Sequence, residues 1–287
     1  MSSSITCFYL GRVHYTPAWM LQKAIVQILK SSDEACAHTI LFLEHNPVYT
    51  LGVRSHDPTN DYSEASIRNL TQLGAEFIKT DRGGLITYHG PGQLVAYPII
   101  NLRCKYLAGH GIRWFVNALE LAGVNLCARF HLKASPGSGL NDTGVWLNSL
   151  KKVMAIGVHK SDSITYHGVA LNCSNDPLPW LRRIVPCGLI GRDVTSLSEA
   201  CKREISVASV SPIFATCLID HLFGLPDVRQ NHVTISHRFD LANEWTSSSS
   251  SLCHVDGAVL SWSLAVNNIL AEVRSRMVVR QTADSTL

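Results

Sequence analysis

Charge is what this sequence has least of. Lys, Arg, Asp and Glu make up 16% of its 287 residues, against about 25% in an average soluble protein. The signs nearly cancel, 25 basic residues against 22 acidic, for a formal charge of +3. A disordered polyelectrolyte is excluded, and no concentrated basic face argues for a nucleic-acid partner. Long apolar runs are missing too. No stretch reaches the roughly 18 residues of a membrane span, so none is expected. Nine cysteines (Cys7, Cys36, Cys104, Cys127, Cys173, Cys187, Cys201, Cys217, Cys253) contain no C-x-x-C pair. Their odd number and scatter argue against a zinc ribbon and a secreted disulfide framework. Reduced thiols that pack as small apolar groups are the expectation. The 13 histidines include no H-E-x-x-H, so no metal is expected. A basic n-region followed by an apolar h-region is also lacking, which excludes a visible secretory signal. Residues 1–11 are acid-free and Ser-rich, a compositional hint of organelle import.

What is present is globular composition, with 46% apolar residues and a chain long enough for a large core. Helical spacing predicts helices over residues 18–29, 63–73, 111–128 and 207–222. Short apolar runs predict strands over 39–43, 47–51, 75–80, 86–89, 94–100 and 163–172, and residues 144–147 and 152–157 bracket a polar turn as a hairpin. Strands crowd the middle and helices the ends, an α+β or mixed layout with a largely antiparallel sheet. Residues 246–251 form a Ser-rich break that predicts a linker, and residues 259–279 beyond it have helical periodicity.

Three short runs carry chemistry. The first, RGGLITYHGPGQ at residues 82–93, holds four glycines and a proline between two strands. It is neither a G-x-x-x-x-G-K-[ST] loop nor G-x-G-x-x-G. Glycine there lets a ligand approach the backbone, and Arg82 beside bare amides could hold a carbonyl or carboxylate oxygen; a plain double turn is the alternative. The second, VPCG at 185–188, holds Cys187 on a constrained turn. Such a turn suits a nucleophile if a nearby cation lowers the thiol pKa, but most free cysteines simply pack, and from the residues alone that is the reading to prefer. Lys152, opening the apolar strand KVMAIG, is either snorkelling at its end or functional. The third run is YHGVALN at 166–172, where His167 on its own reads as a hydrogen-bonded structural histidine.

Taken together and in order, these pieces resemble a known family. EHNPVYTLG (44–52), RGGLITYHGPGQLVAYP (82–98), TGVW (143–146), KVMAIGV (152–158), HGVALN (167–172), PCGL (186–189) and VTSL (194–197) are similar to the lipoyl(octanoyl) transferases, over about residues 5 to 225. Leu85, where bacterial members usually carry a polar residue, and HGVALNCSND resemble the animal mitochondrial branch, which implies a mitochondrial location. One extra residue near 177–179, relative to the bacterial spacing, bears on local loop geometry. The resemblance implies an α+β fold with a mixed, mostly antiparallel sheet flanked by helices, like the catalytic domain of biotin and lipoate protein ligases. It implies a catalytic domain over residues 1–228 and leaves residues 229–287 as a C-terminal extension.

The activity it implies is transfer of an octanoyl group from octanoyl-acyl carrier protein to a lysine of lipoyl domains, such as glycine cleavage H protein and 2-oxoacid dehydrogenase E2 subunits, with no cofactor. An ATP-dependent lipoate-protein ligase is the alternative on the same fold. Carried over by position, Cys187 becomes the nucleophile and Lys152 its partner. Substrate would be bound by Arg82, Gly83, Gly84, Leu85, Ile86, Thr87, Tyr88, His89, Ala155, Ile156, Gly157, Gly168, Val169 and Ala170. Ile86, Ile156 and Val169 would line the acyl channel. Because carrier proteins are acidic, Arg82, Arg182 and Arg183 are the residues to weigh for docking.

Overall fold

The computed structural model describes residues 4–31, 37–55, 62–104, 107–139, 142–184, 192–224, 234–238, 252–255 and 258–278. The chain opens with strand β1 (Ser4–Val13), helix α1 (Tyr15–Lys30), and strands β2 (Ala37–His45) and β3 (Val48–Leu51). Helix α2 (Glu64–Thr71) starts at Ser63, whose hydroxyl accepts from Ser66 N, an N-cap of the ordinary kind. Strands β4 (Glu76–Lys79), β5 (Thr87–His89) and β6 (Gln93–Ile99) precede helix α3 (Ile112–Arg129). Strands β7 (Ser135–Pro136), β8 (Gly144–Trp146), β9 (Lys151–Ser161) and β10 (Ile164–Asn172) follow. The remaining elements are α4 (Leu178–Leu181), β11 (Asp193–Val194), α5 (Leu197–Cys201), α6 (Val207–Phe223), β12 (Thr234–Arg238), β13 (Leu252–Val255), β14 (Ala258–Ser261) and α7 (Trp262–Val278).

The main sheet runs β12-β1-β2-β6-β10-β9-β8-β7, with β11 paired to β9. β1 is parallel to both β12 and β2, and β11 is parallel to β9; the other pairs are antiparallel. The expected mixed, mostly antiparallel α+β fold is therefore what forms. Alternate residues feed opposite faces, as strand geometry requires. Leu94 and Ala96 of β6 and Val169 and Leu171 of β10 join Phe115, Leu119 and Leu126 of α3 and Phe214 and Leu218 of α6. Val95, Tyr97 and Ile99, with Ile164, Tyr166 and Ala170, face Leu21, Ile25 and Leu29 of α1. Covered on both sides, β6 reads as a nearly continuous apolar run, whereas β10 buries Thr165, His167 and Asn172 among its apolar residues. A smaller sheet, β4-β3-β5, packs Tyr49, Leu51 and Tyr88 with Leu70, Leu178 and Leu181.

Three expectations need correction. Residues 4–11 are mostly strand in the interior of the sheet, not merely a biased leader-like stretch: Ile5 and Cys7 are wholly buried, and pairing on both edges leaves no polar alternation to read. The helix expected over 259–279 begins at Trp262, because residues 258–261 pair with β13. Cys7, Cys127, Cys173 and Cys217 are free and buried, and Cys201 is free and half-buried, but Cys104 is disulfide-bonded. Spatial proximity makes a disulfide, and neither count nor spacing reveals it. The predicted linker at 246–251 lies outside the described residues. On either side of it, β12 extends the sheet edge and Ile269 and Val273 of α7 bury against the α1 layer. No helix among the described residues is long and apolar enough to cross a membrane.

Candidate active site

Where β8, β9 and β10 meet the glycine-rich turn, a cavity opens between them. The β9–β10 register sets its wall: Ala155 faces Ala170, Ile156 faces Val169 and Gly157 faces Gly168, and all six line it. Gly168 is required there, since a Cβ would lie 2.2 Å from Ala96 O. The opposite wall is the segment after β4. Gly83 N donates to Val158 O at 3.1 Å, stitching the turn to β9. Arg82, Gly84, Leu85, Ile86, Thr87 and His89 line the cavity from this side. Gly83 and Tyr88 are not among the lining residues. The Tyr88 ring turns into the smaller core, stacked on Trp180 with centroids 5.1 Å apart.

Lys152 stands at one end. Only 5% exposed, it lines the cavity, its Nζ donates to Thr143 O at 3.0 Å, and it sits 4.7 Å from the centre of the Trp146 ring. A buried ammonium is costly without such partners. Gly144, at φ 135°, is required by the backbone, since a Cβ there would lie 2.5 Å from Met154 O; the lysine stem passes that position at ordinary contact distance. Arg192 also lies over Trp146, at 4.8 Å, and pairs with Asp142 at 2.8 Å. Cys187 and its turn, residues 185–188, lie outside the described residues. Both flanks are described. Arg182 pairs with Asp193 at 3.1 Å, and Val194 pairs in register with Lys152.

Arg82 is buried and spends its guanidinium on the protein. Nε donates to Thr50 Oγ1 at 2.9 Å, Nη2 to Thr50 O at 2.6 Å and Nη1 to Gly83 O at 3.0 Å. It thus shapes the turn from inside and is not a surface residue for docking. Of the other two basic residues weighed for docking, Arg182 is paired with Asp193 and Glu199, and Arg183 donates to Asn69 O.

Polar networks surround the cavity, and the sequence did not announce them; one of them ends at Thr195, whose N donates to Lys152 O at 2.9 Å. His45 donates from Nδ1 to Val13 O at 2.9 Å and accepts at Nε2 from Tyr97 OH at 2.7 Å. His89 donates to Gln93 Oε1 at 2.8 Å; Gln93 donates to Asn172 Oδ1, and Asn172 to Thr195 O. His167 takes the left-handed region, φ 57°, and its Nε2 donates to Asp81 Oδ1 at 2.7 Å. Tyr166 OH donates to the other carboxylate oxygen. Tyr15, Arg54, Val95, Tyr97 and Thr143, none singled out from the sequence, also line the cavity. Only position relative to the quoted motifs could have pointed to them.

Burial lowers the pKa of all three histidines: His45 to about 4, His89 well below its ordinary value, and His167 less far because Asp81 opposes the effect. For Asp81 burial pushes upward, but the His167 and Tyr166 hydrogen bonds outweigh it and hold the carboxyl well below its usual range. Unfolded histidine titrates near about 6.5. As pH falls, the unfolded chain therefore takes up these protons first, so the stability they contribute is whole above about pH 6.5 and is lost toward about pH 4. Asp81, depressed as well, is lost below the ordinary carboxylate pKa, in the same direction. Thermal melts should show Tm falling by about 5–10 °C between pH 7 and pH 5. A flat profile would mean that the rings are charged in the native state.

The family model described as "Lipoyl protein ligase A/B catalytic domain" matches residues 14–219. The zebrafish (Danio rerio) octanoyl-[acyl-carrier-protein]:protein N-octanoyltransferase LIPT2, mitochondrial, is 43% identical over 203 residues, 71% of this chain and 85% of that protein. An octanoyltransferase of Acidothermus cellulolyticus is 42% identical over 220 residues, covering 74% and 89%. Among solved structures, the bi-partite lipoate protein ligase of Thermoplasma acidophilum superposes with a TM-score of 0.60 at 15% identity, covering 85% of this chain and 89% of that one. At that identity the likeness is one of fold.

Proposed function

The chain belongs to the lipoyl protein ligase A/B catalytic domain family, and on that premise we propose that it moves an octanoyl group from octanoyl-acyl carrier protein to a lysine of lipoyl domains. The observation that carries this reading is the buried Lys152 at one end of a cavity walled by Ile86, Val95, Ala155, Ile156 and Val169. An apolar wall suits an alkyl chain, at about 0.8 kcal/mol per buried methylene. A thioester donor is already activated, so no ATP is needed.

In the proposed cycle Cys187 is the nucleophile. Lys152 as ammonium stabilises its thiolate, since an opposite charge within about 4–6 Å lowers a thiol pKa. The thiolate attacks the donor carbonyl, the carrier sulfur leaves, and Lys152 gives it a proton. The octanoyl group is now a thioester on Cys187. The neutral amine of the acceptor lysine attacks that carbonyl, Lys152 takes back a proton, and the Cys187 thiolate leaves as the amide forms. Placement of the two flanks of residues 185–191 supports this pairing, because Arg192 shares the Trp146 ring with Lys152 and Val194 pairs beside it.

Glycine cleavage H protein and 2-oxoacid dehydrogenase E2 subunits are the proposed acceptors. The mitochondrion is the proposed location, since animal relatives carry that word in their names. Catalysis is assigned to residues 1–228, with residues 229–287 as an extension. The reading is tested by supplying octanoyl-carrier protein without ATP, or free octanoate with ATP, to a lipoyl domain. Octanoylation in the first mixture alone is expected. Octanoylation in the second alone would make the chain a ligase.

A further inference from the structure

Nothing in the proposed cycle uses Trp146, the last residue of the TGVW run. It is 4% exposed, yet it belongs to none of the three apolar clusters, whereas its neighbour Val145 joins the layer beside α3. Two cations lie on its ring instead. Lys152 Nζ is 4.7 Å from the ring centre and the Arg192 guanidinium carbon 4.8 Å.

The strand register builds this contact. β8 and β9 pair Val145 with Met154, but the next pair is Trp146 with Lys152, so Val153 is left over as a bulge. An extra residue re-aims the side chains that follow it. In unbroken antiparallel register Trp146 would oppose Val153. The bulge sets Lys152 opposite it instead, and directly opposed side chains on one face of a sheet interact. On the other edge of β9, β11 pairs Asp193 with Lys151 and Val194 with Lys152, and Arg192 immediately precedes that strand. Asp142 holds the cluster twice. Its carbonyl oxygen accepts from Trp146 Nε1 at 2.7 Å, and its carboxylate pairs with Arg192 at 2.8 Å. The indole edge is thereby fixed, and its face meets the cations. Aromatic faces attract cations, Trp most strongly, and more so away from water.

We propose that Trp146 is a positioning residue for the transfer reaction: its ring holds the Lys152 ammonium in place, and by holding Arg192 too it ties that lysine to the chain that follows Cys187. The proposal rests on the octanoyl-transfer reading. A lysine stem is flexible, and a proton-transfer group must keep its nitrogen within hydrogen-bond reach of the reacting atoms. The ring narrows the positions that nitrogen can take.

The test is octanoyl transfer from octanoyl-carrier protein to a lipoyl domain by Trp146→Leu and Trp146→Phe, and by Trp146→Leu combined with Lys152→Met. Trp146→Leu should lower kcat by about thirtyfold, the span of a desolvated cation–π contact, and leave KM for the donor within about twofold. Trp146→Phe restores a ring face and should recover kcat to within about fivefold of native. With Lys152→Met already present, Trp146→Leu should cost less than about twofold more, because the ring acts through the lysine. Should Trp146→Leu fail to fold by thermal melt, Trp146→Met, longer and more adaptable, takes its place. A native kcat in the folded variant, a loss that Phe does not repair, or the same loss with and without Lys152 overturns the positioning role. Native protein inactive on the carrier thioester would instead overturn the octanoyl-transfer reading.

Discussion

Alanine at position 187 is expected to abolish octanoyl transfer, with a loss of roughly a thousandfold or more, as befits removal of a covalent nucleophile. The expectation follows from the division of labour proposed above. The cavity walls hold the alkyl chain and Lys152 handles charge and protons, but neither can carry the acyl group between two partners. Cys187→Ser discriminates further. A serine hydroxyl beside Lys152 is a far weaker nucleophile than a thiolate, so no thioester adduct forms. The variant should still bind octanoyl-carrier protein, because the residues that line the cavity are untouched. Binding can be followed by titration against the carrier protein, and transfer by the mass of a lipoyl-domain acceptor. Transfer near the native rate by Cys187→Ala would remove the cysteine from the mechanism.

The second large effect is at Lys152. Methionine approximates the length and volume of the lysine stem beside Trp146 and Gly144, while removing the ammonium that donates to Thr143 O. Lys152→Met should lower kcat by about 10²–10⁴-fold, the usual span for a positioned proton-transfer group. Two half-reactions should suffer differently. Octanoylation of Cys187 loses the stabilised thiolate and slows. Aminolysis loses its proton acceptor and slows more, so any octanoyl-enzyme that forms should persist in the presence of acceptor. Rapid-quench mass measurement of both half-reactions checks this, with a thermal melt to confirm that the fold is intact. Equal slowing of both steps would leave only the electrostatic role, and a native kcat would leave neither.

Much of this arrangement was legible because the chemistry sits on short, ordered strings. The run at 94–100 is buried on both faces, and the sequence shows it as an unbroken apolar stretch; residues 164–172 are buried as well, although Thr165, His167 and Asn172 interrupt the apolar pattern. The glycine-rich segment at 82–93 is punctuated where the backbone must turn between strands, and Gly168 stands where a side chain would collide with Ala96 O. Other features left no local trace. Strand β1 starts in a Ser-rich stretch that composition alone cannot tell from a leader. Asp81 and His167 are 86 residues apart, and nothing near either announces the 2.7 Å bond between them. His167 taken alone read as structural; it is hydrogen-bonded as expected, yet it also lines the cavity. Arg82 read as a group for a carbonyl or carboxylate oxygen and as a residue to weigh for docking, whereas inside the fold it donates three hydrogen bonds to Thr50 and Gly83. The polar face of α1, Tyr15, Trp19 and Gln22, reads in sequence as an ordinary amphipathic helix until the strand it meets is known.

The most direct measurement is intact mass of the chain, quenched after mixing with octanoyl-carrier protein and again after adding a lipoyl domain. A gain of one octanoyl group is expected in the first sample, mapped by peptide mass to Cys187 and released by hydroxylamine. It should vanish from the second sample as the acceptor gains the same mass. Acceptor octanoylation at full rate with no octanoyl-enzyme at any quench time, or an adduct mapped to another residue, would contradict the covalent mechanism.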